Sequence, residues 1–291
     1  MIEAVELQKK YRLVHGEPSN ISGQMKMADL HVHEGGDTTD TPWRIVRAAV
    51  RRGLDLIAVT NHDNAFGYER ASRMRDRIEK KREGNHHLTI IRAAEVTAED
   101  NRHVLVYNLK HNVPVGSPLP RLLEEVDKQD ATASMAHPEL GSFSPTEKDI
   151  EELLEGDNPP FALEVHNGGA RQIDRYSPTV EKYGCMPVVS FIKNRLPKTG
   201  SNSKAHEVFE RFKDSLLGAT GGSDAHSARH VGDVITCYPA EMELFDAIEK
   251  GKSVVMEHKK PKRATGTNLA IGTLRGIILD NKRKKVSSKM L

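Results

Sequence analysis

Cysteine is nearly absent from this sequence, with only Cys185 and Cys237 among 291 residues. Two thiols cannot build a disulfide framework, and no C-x-x-C spacing offers a zinc–thiolate site, so both are expected to be buried and inert. Aromatic residues make up 5% of the chain, with a single tryptophan, Trp43, read as core. No aromatic platform interleaved with basic residues suggests a groove that stacks single-stranded nucleic acid. No apolar run approaches the ~18–20 residues that span a bilayer, and Met1–Tyr11 lacks the apolar stretch of a signal peptide. A reducing cytoplasm and no membrane partner are therefore expected. No G-x-G-x-x-G or G-x-x-x-x-G-K-[ST] loop follows the first strand, which weakens a nucleotide-binding open sheet.

The composition is otherwise that of a folded globular chain, 37% hydrophobic and 29% charged, with a net charge of +2. The charge is uneven: from Gly251 to Leu291 bases far outnumber acids, ending in Lys282-Arg283-Lys284-Lys285. A solvated terminus is the plain reading of such a run; attraction to nucleic acid is the sharper one.

Apolar runs alternate with amphipathic segments. Strands are expected at Lys26–Val32, Leu54–Thr60, Leu88–Ala94, His103–Asn108, Ala131–Ala136, Phe161–Val165, Met186–Phe191, Leu216–Thr220, Val234–Tyr238 and Val254–Met256. Helices are expected at Pro42–Arg52, Phe66–Arg82, Pro118–Gln129, Pro145–Leu154, Gln172–Tyr183, Ser203–Asp214 and Glu241–Lys250. The first of these carries Thr41 as N-cap, Pro42 at its first position and Gly53 as its stop. The alternation favours a parallel α/β architecture, closed as a barrel rather than opened as a doubly wound sheet.

Fourteen histidines are the unusual feature of the composition. Many fall at expected strand ends: His31 and His33 after the first, His62 after the second, Glu95 after the third, His137 after the strand ending at Ala136. Glu164 and His166 close another, and Asp224 and His226 follow the last barrel strand. Catalytic groups of parallel barrels gather at those carboxyl ends. His-x-His and Asp-x-His also aim two side chains at one face of an extended strand. Imidazole with carboxylate suits zinc, manganese or ferrous iron. So many donors exceed the needs of one ion, which implies two or three divalent transition metal ions. His15, His86, His87, His111, His206 and His258 lack such partners and are read as ordinary core or surface histidines. Glu164 and His166 either support the ligands, touch substrate, or pair within the core.

These motifs resemble the PHP family, named for polymerase and histidinol phosphatase. Asp29-Leu30-His31-Val32-His33 is similar to its first motif and Thr60-Asn61-His62-Asp63 to its second, with Asn61 where aspartate is usual. Ala94-Glu95-Val96 is similar to the third, and His137-Pro138 and Ser223-Asp224-Ala225-His226 to the later ones. The resemblance implies a single-domain, distorted (β/α)7 barrel over residues 27–258, between an N-terminal extension (1–26) and a basic C-terminal segment (259–291). It implies three metal positions: His31, His33, Glu95 and Asp224 at one; Asp37, His62 and His226 at the second; Glu95, His103 and His137 at the third, with Glu95 bridging. Asp37 is preferred as the acid of the first motif, and Glu34 and Asp40 are its rivals.

The expected chemistry is metal-dependent hydrolysis of a phosphate ester, on a phosphorylated small molecule or nucleotide. Lys193, Arg195, Lys198 and Arg229 are candidates to grip phosphate, and His230 to protonate the leaving group. A nuclease acting on oligonucleotide ends through the basic tail is the alternative, and a non-catalytic metal-binding module a third.

Overall fold

The computed structural model describes residues 1–38, 40–81, 87–141, 143–172, 200–215 and 218–261. The expected strand Met186–Phe191, nearly all of the expected helix Gln172–Tyr183, Lys193, Arg195, Lys198, Cys185, His86 and all but the start of the basic C-terminal segment lie outside them.

The molecule is a mixed α/β domain around a nearly closed, barrel-shaped sheet. Seven strands carry the wall: β3 (Gln24–Val32), β4 (Leu56–Val59), β5 (Thr89–Thr97), β6 (His103–Tyr107), β7 (Thr132–Met135), β8 (Ala162–Asn167) and β9 (Gly218–Gly222). They pair in sequence order from β3 to β9. Closure back onto β3 is made just beyond β9: Val32 bridges Ala225, and the His33 amide donates to the Ala225 carbonyl at 3.1 Å. There is no room for a side chain at this seam. A Cβ on Gly222 would stand 2.4 Å from His31 Cβ, which explains a glycine at that strand end.

The expected parallel barrel is corrected at one strand. β6 runs antiparallel to both β5 and β7. Only the short turn Glu99–Asn101 stands between β5 and β6, and a parallel crossover needs roughly a dozen residues. A strict (β/α)7 count therefore does not hold. Four further strands extend the sheet beyond β3: β1 (Ile2–Glu3), β2 (Tyr11–His15), β10 (Val234–Pro239) and β11 (Val254–His258). β1 and β10 both pair antiparallel with β3, β11 with β10, and β2 with β11. The first fifteen residues are thus woven into the sheet, with helix α1 (Ala4–Lys10) between β1 and β2.

Helix α2 (Pro42–Arg52) begins and ends where its signals stand: the Thr41 side chain accepts from the Arg44 amide, and Gly53 closes the helix in the left-handed region at φ 73°. Its Ile45, Val46, Ala49 and Val50 are buried, an i, i+1, i+4, i+5 stripe that packs on the sheet. Helices α3 (Phe66–Glu79), α4 (Leu119–Asp127), α5 (Glu147–Leu154), α6 (Ser201–Phe212) and α7 (Leu244–Glu249) come after β4, β6, β7, β8 and β10 respectively. Two apolar clusters built from alternate strand residues, such as Ile57 and Val59 or Val104 and Val106, pack with the helices. The opposite strand faces carry a third cluster, with Leu56, Ala58, Ile91, Ala93 and Leu105 against Leu244 and Ala247 of α7, and further along the same face of β5 stands Glu95.

Candidate metal centre

The polar end of the barrel is a nest of imidazoles around one carboxylate. Glu95, on β5 and 1% exposed, faces five histidines. Its Oε1 lies 2.7 Å from His103 Nδ1 and 2.9 Å from His137 Nε2. Its Oε2 lies 3.1 Å from His62 Nδ1, 3.4 Å from His33 Nε2 and 3.5 Å from His31 Nε2. Asp224 Oδ1 stands 3.3 Å from His33 Nε2, 3.6 Å from His31 Nε2 and 3.3 Å from His226 Nδ1.

Four sets of donors have ligand atoms mutually within 4.8 Å: His31, His33 and Asp224; His31, Glu95 and His137; His62, Glu95 and His103; His33, His62 and His226. The sets overlap in His31, His33, His62 and Glu95. Eight of the nine sequence-derived ligand candidates occur in them. The ninth, Asp37, lies at their edge, with Oδ2 accepting from the His62 amide at 2.7 Å and 3.8 Å from His33 Nδ1. Its two rivals are engaged elsewhere. Asp40 pairs with Arg44 and accepts from the Ala228 amide. Glu34 takes Arg70 and Asn61.

The donor atoms fit divalent ions. His31 Nε2 and both ring nitrogens of His33 are buried yet make no hydrogen bond among the described residues, a costly arrangement unless something else satisfies them. Two ligands bound to one ion at about 2.1 Å stand roughly 3.4 Å apart in tetrahedral geometry. That is the separation seen between the His33 and His31 rings and the oxygens of Glu95 and Asp224.

Electrostatics poise the carboxylates to stay ionised. Burial alone raises the Glu95 carboxyl, but His103, His62 and His31 hold it well below the usual carboxylate range. Asp224 behaves alike under His31, His226 and His33. Burial, with His33 and His103 as like-charged neighbours, drives His62 down to about 3, against the pull of Glu95. Burial also opposes charge on His33, yet Asp224, Asp37 and Glu95 raise it to about 9.

Around the donors stands a layer that sequence reading left without definite roles. Glu164 Oε1 meets His31 Nδ1 at 3.1 Å, and its Oε2 accepts from the His137 amide at 2.8 Å and Asn167 Nδ2 at 3.0 Å. Ser144 Oγ meets His137 Nδ1 at 3.0 Å. Asp29 ties the loop that carries Asp224: Oδ1 accepts from the Ser223 amide at 2.9 Å, Oδ2 from Ser223 Oγ at 2.6 Å and the Gly232 amide at 2.7 Å. The one available signal was alternation, since Asp29, His31 and His33 share one strand face. Asn61 holds no ligand position in the four sets; its side chain brackets Glu34, accepting from its amide and donating to its carbonyl. His166 pairs with Glu257 at 3.1 Å, away from the cluster.

Of the candidate cations, Arg229 is exposed on the turn after His226, and Lys193 lies outside the described residues. His230 is buried, with Nδ1 3.0 Å from Asp233 Oδ2, and Asp233 in turn pairs with Arg52. Solvent reaches the cluster on one side, where the side chains of Asp37, His62 and His226 are 21%, 22% and 29% exposed.

The fold and this cluster define a barrel protein with a histidine–carboxylate centre able to hold metal. Residues 199–253 match the family model described as PHP-associated. That match, over a small part of the chain, agrees with the resemblance of the ordered motifs to the PHP family. No curated protein matches it. Among solved structures, PsfC from Pseudomonas syringae has the same fold, with a TM-score of 0.50 at 18% identity over 89% of this chain and 99% of that one. A Bifidobacterium adolescentis protein, provisionally named a metal-dependent phosphoesterase, gives 0.44 at 15% identity over 69% and 88%. The lesion-specific endonuclease Q of Pyrococcus furiosus gives 0.45 at 15% identity over 78% and 55%.

Proposed function

We propose that this chain is a metal-dependent hydrolase of phosphate esters, acting on a small phosphomonoester or nucleotide. The observation that carries the reading is the cluster itself: four overlapping donor sets around Glu95, with buried ring nitrogens of His31 and His33 left for a ligand other than protein. The overlap of the sets favours two or three ions, with zinc, manganese and ferrous iron as the fitting metals. His31, His33, Glu95 and Asp224 hold one; His62 and His226, with His33 or Asp37, hold the second; Glu95, His103 and His137 hold the third.

Divalent ions held there would supply Lewis acidity toward phosphate oxygens and would lower the pKa of water at the centre. The chain supplies the rest. Glu95 and Asp224, kept ionised by their neighbours, fix the charge of the centre. Glu164 and Ser144 orient the rings of His31 and His137. Substrate enters on the side of His62, His226 and Asp37. Arg229, exposed beside that loop, is the described cation we assign to phosphate, and Lys193, after the expected strand Met186–Phe191, is its proposed counterpart. We assign no proton transfer to His230, whose Nδ1 is engaged by Asp233.

The test is elemental analysis of the purified protein, with hydrolysis of a generic phosphomonoester and a short oligonucleotide on the same sample. Two to three transition metal ions per chain with monoester turnover supports the proposal. Cleavage of the oligonucleotide alone selects a nuclease. Metal-loaded, folded protein without turnover on either selects a binding module, and failure to bind metal after reconstitution overturns the reading.

A further inference from the structure

We infer that the site is built for a phosphate ester carrying a nucleobase, with Phe66 as the stacking surface and Arg70 as a fixed cation at the rim. This rests on the phosphoester reading above and names its substrate class.

Phe66 is 61% exposed, the one aromatic among the large apolar side chains that stand mostly in solvent in the described residues. A lone exposed apolar residue is ordinary. Its place and its rigidity are not. Phe66 stands at the start of α3, four residues after His62, whose side chain is 22% exposed. The turn between them is pinned at every residue. Asp63, in the left-handed region at φ 62°, donates its amide to the Glu95 carbonyl at 2.9 Å and accepts from the Thr97 amide at 2.9 Å. Asn64 Nδ2 donates to the His62 carbonyl at 2.8 Å, and its Oδ1 accepts from the Phe66 amide at 3.1 Å. Asn112 Oδ1 accepts from the Ala65 amide at 3.1 Å. The ring is thus carried on a backbone tied to Glu95 itself.

One helical turn on, Arg70 shares the Phe66 face of α3. Its Nε and Nη2 donate to Oε1 of the buried Glu34 at 2.9 and 2.5 Å, and Asn61 donates to the same oxygen. The guanidinium lies against Gly35, in the turn that leads to Asp37. Its side chain is 41% exposed. An aromatic face and an anchored cation therefore flank the opening where His62 and Asp37 meet solvent. A bare sugar or glycerol phosphate satisfies the metal centre but leaves Phe66 uncovered. A nucleotide supplies both the phosphate and a flat ring to cover it.

The experiment compares kcat/KM for a nucleoside 5′-monophosphate and for glycerol phosphate in the metal-loaded wild type, Phe66→Ala and Phe66→Trp. Base–aromatic stacking contributes about 1–3 kcal/mol per base. The nucleotide-to-glycerol-phosphate ratio is therefore expected to fall roughly five- to 150-fold in Phe66→Ala and to be retained in Phe66→Trp. A ratio unmoved by Phe66→Ala overturns the inference. A 5′-phosphorylated short oligonucleotide run beside the mononucleotide shows whether the base comes free or at a strand end; preference for either over glycerol phosphate supports stacking, and for neither overturns it. The added tryptophan of Phe66→Trp gives a readout that needs no turnover: quenching by the nucleotide but not by glycerol phosphate, absent in the wild type, is expected. If wild-type protein hydrolyses no ester, the phosphoester reading fails, and the quenching alone decides the fate of the stacking surface.

Discussion

Glu164 and His31 lie 133 positions apart in the chain, yet Glu164 Oε1 meets His31 Nδ1 at 3.1 Å with both side chains buried. The contact turns Nε2 of His31 toward Glu95 and Asp224. The other carboxylate oxygen holds the His137 amide, so one residue orients two donors. Partners of this kind change metal affinity or activity by about 10–100-fold when removed. Glu164→Ala is expected to weaken metal binding by that factor, read by competition with a chelating dye, and Glu164→Gln by less. Wild-type affinity in Glu164→Ala would remove Glu164 from the centre's support.

Metal should also stabilise the fold. Buried donors without partners destabilise the metal-free chain, and a ligand that binds only the native state adds about 2.7 kcal/mol at a hundred times its dissociation constant. Chelator-treated protein is expected to melt several degrees lower than reconstituted protein. His33→Ala, which removes a residue shared by two donor sets, is expected to lose most of this shift and at least a thousandfold in turnover, as a rough figure for a dismantled metal site. Equal melting temperatures with and without metal would contradict occupancy of the cluster.

Asp29 supports a separate prediction, about the scaffold. Its buried carboxylate collects the Ser223 amide and hydroxyl and the Gly232 amide. Truncation leaves several buried groups unpaired, at about 1–3 kcal/mol each. Asp29→Ala is expected to lose roughly 3 kcal/mol or more in urea unfolding and to loosen the loop holding Asp224. Asp29→Asn keeps one acceptor and should lose less. A variant as stable as the wild type would show that the loop is held by other means.

The gathering of these donors at one end of the barrel was largely legible because its signal is local. One donor per strand end, and His31 with His33 on one strand face, are features of spacing that survive without knowledge of the fold. The same holds for α2, whose Thr41, Pro42 and Gly53 act within a few residues of themselves. The direction of β6 was misread, although the five residues between Thr97 and His103 are themselves too few for a parallel crossover. The extension of the sheet by β1 and β2 was not visible, because their partners Met25 and Met256 are set by tertiary pairing. Asp29 carried no legible role, and Glu164 three open ones, for the same reason: their partners lie far away in sequence. Phe66 passed unnoticed because an exposed phenylalanine at a helix start reads like a buried one until its accessibility is known.

His206, on α6, gives a pH dependence independent of the metal centre. Its ring lies 5.3 Å from that of His15 on β2 and 6.1 Å from that of His166 on β8. Burial, reinforced by these two like-charged neighbours, pushes it down to about 4, against a weaker pull from Glu210. The unfolded chain takes up this proton near pH 6.5, before the folded one does. Stability is therefore full above about pH 6.5, declines as pH falls toward 4, and has lost this contribution below it. Allowing for solvent around a partly buried ring, the loss is on the order of 1–2 kcal/mol. His206→Gln removes the proton site and keeps a polar side chain of similar reach. Urea unfolding at pH 7 and pH 4.5 is expected to show a smaller drop in the variant than in the wild type, by about that amount. Equal drops in the two proteins would mean that His206 is free to protonate in the folded state, and that the packing of β2, β8 and α6 around it opens as the pH falls.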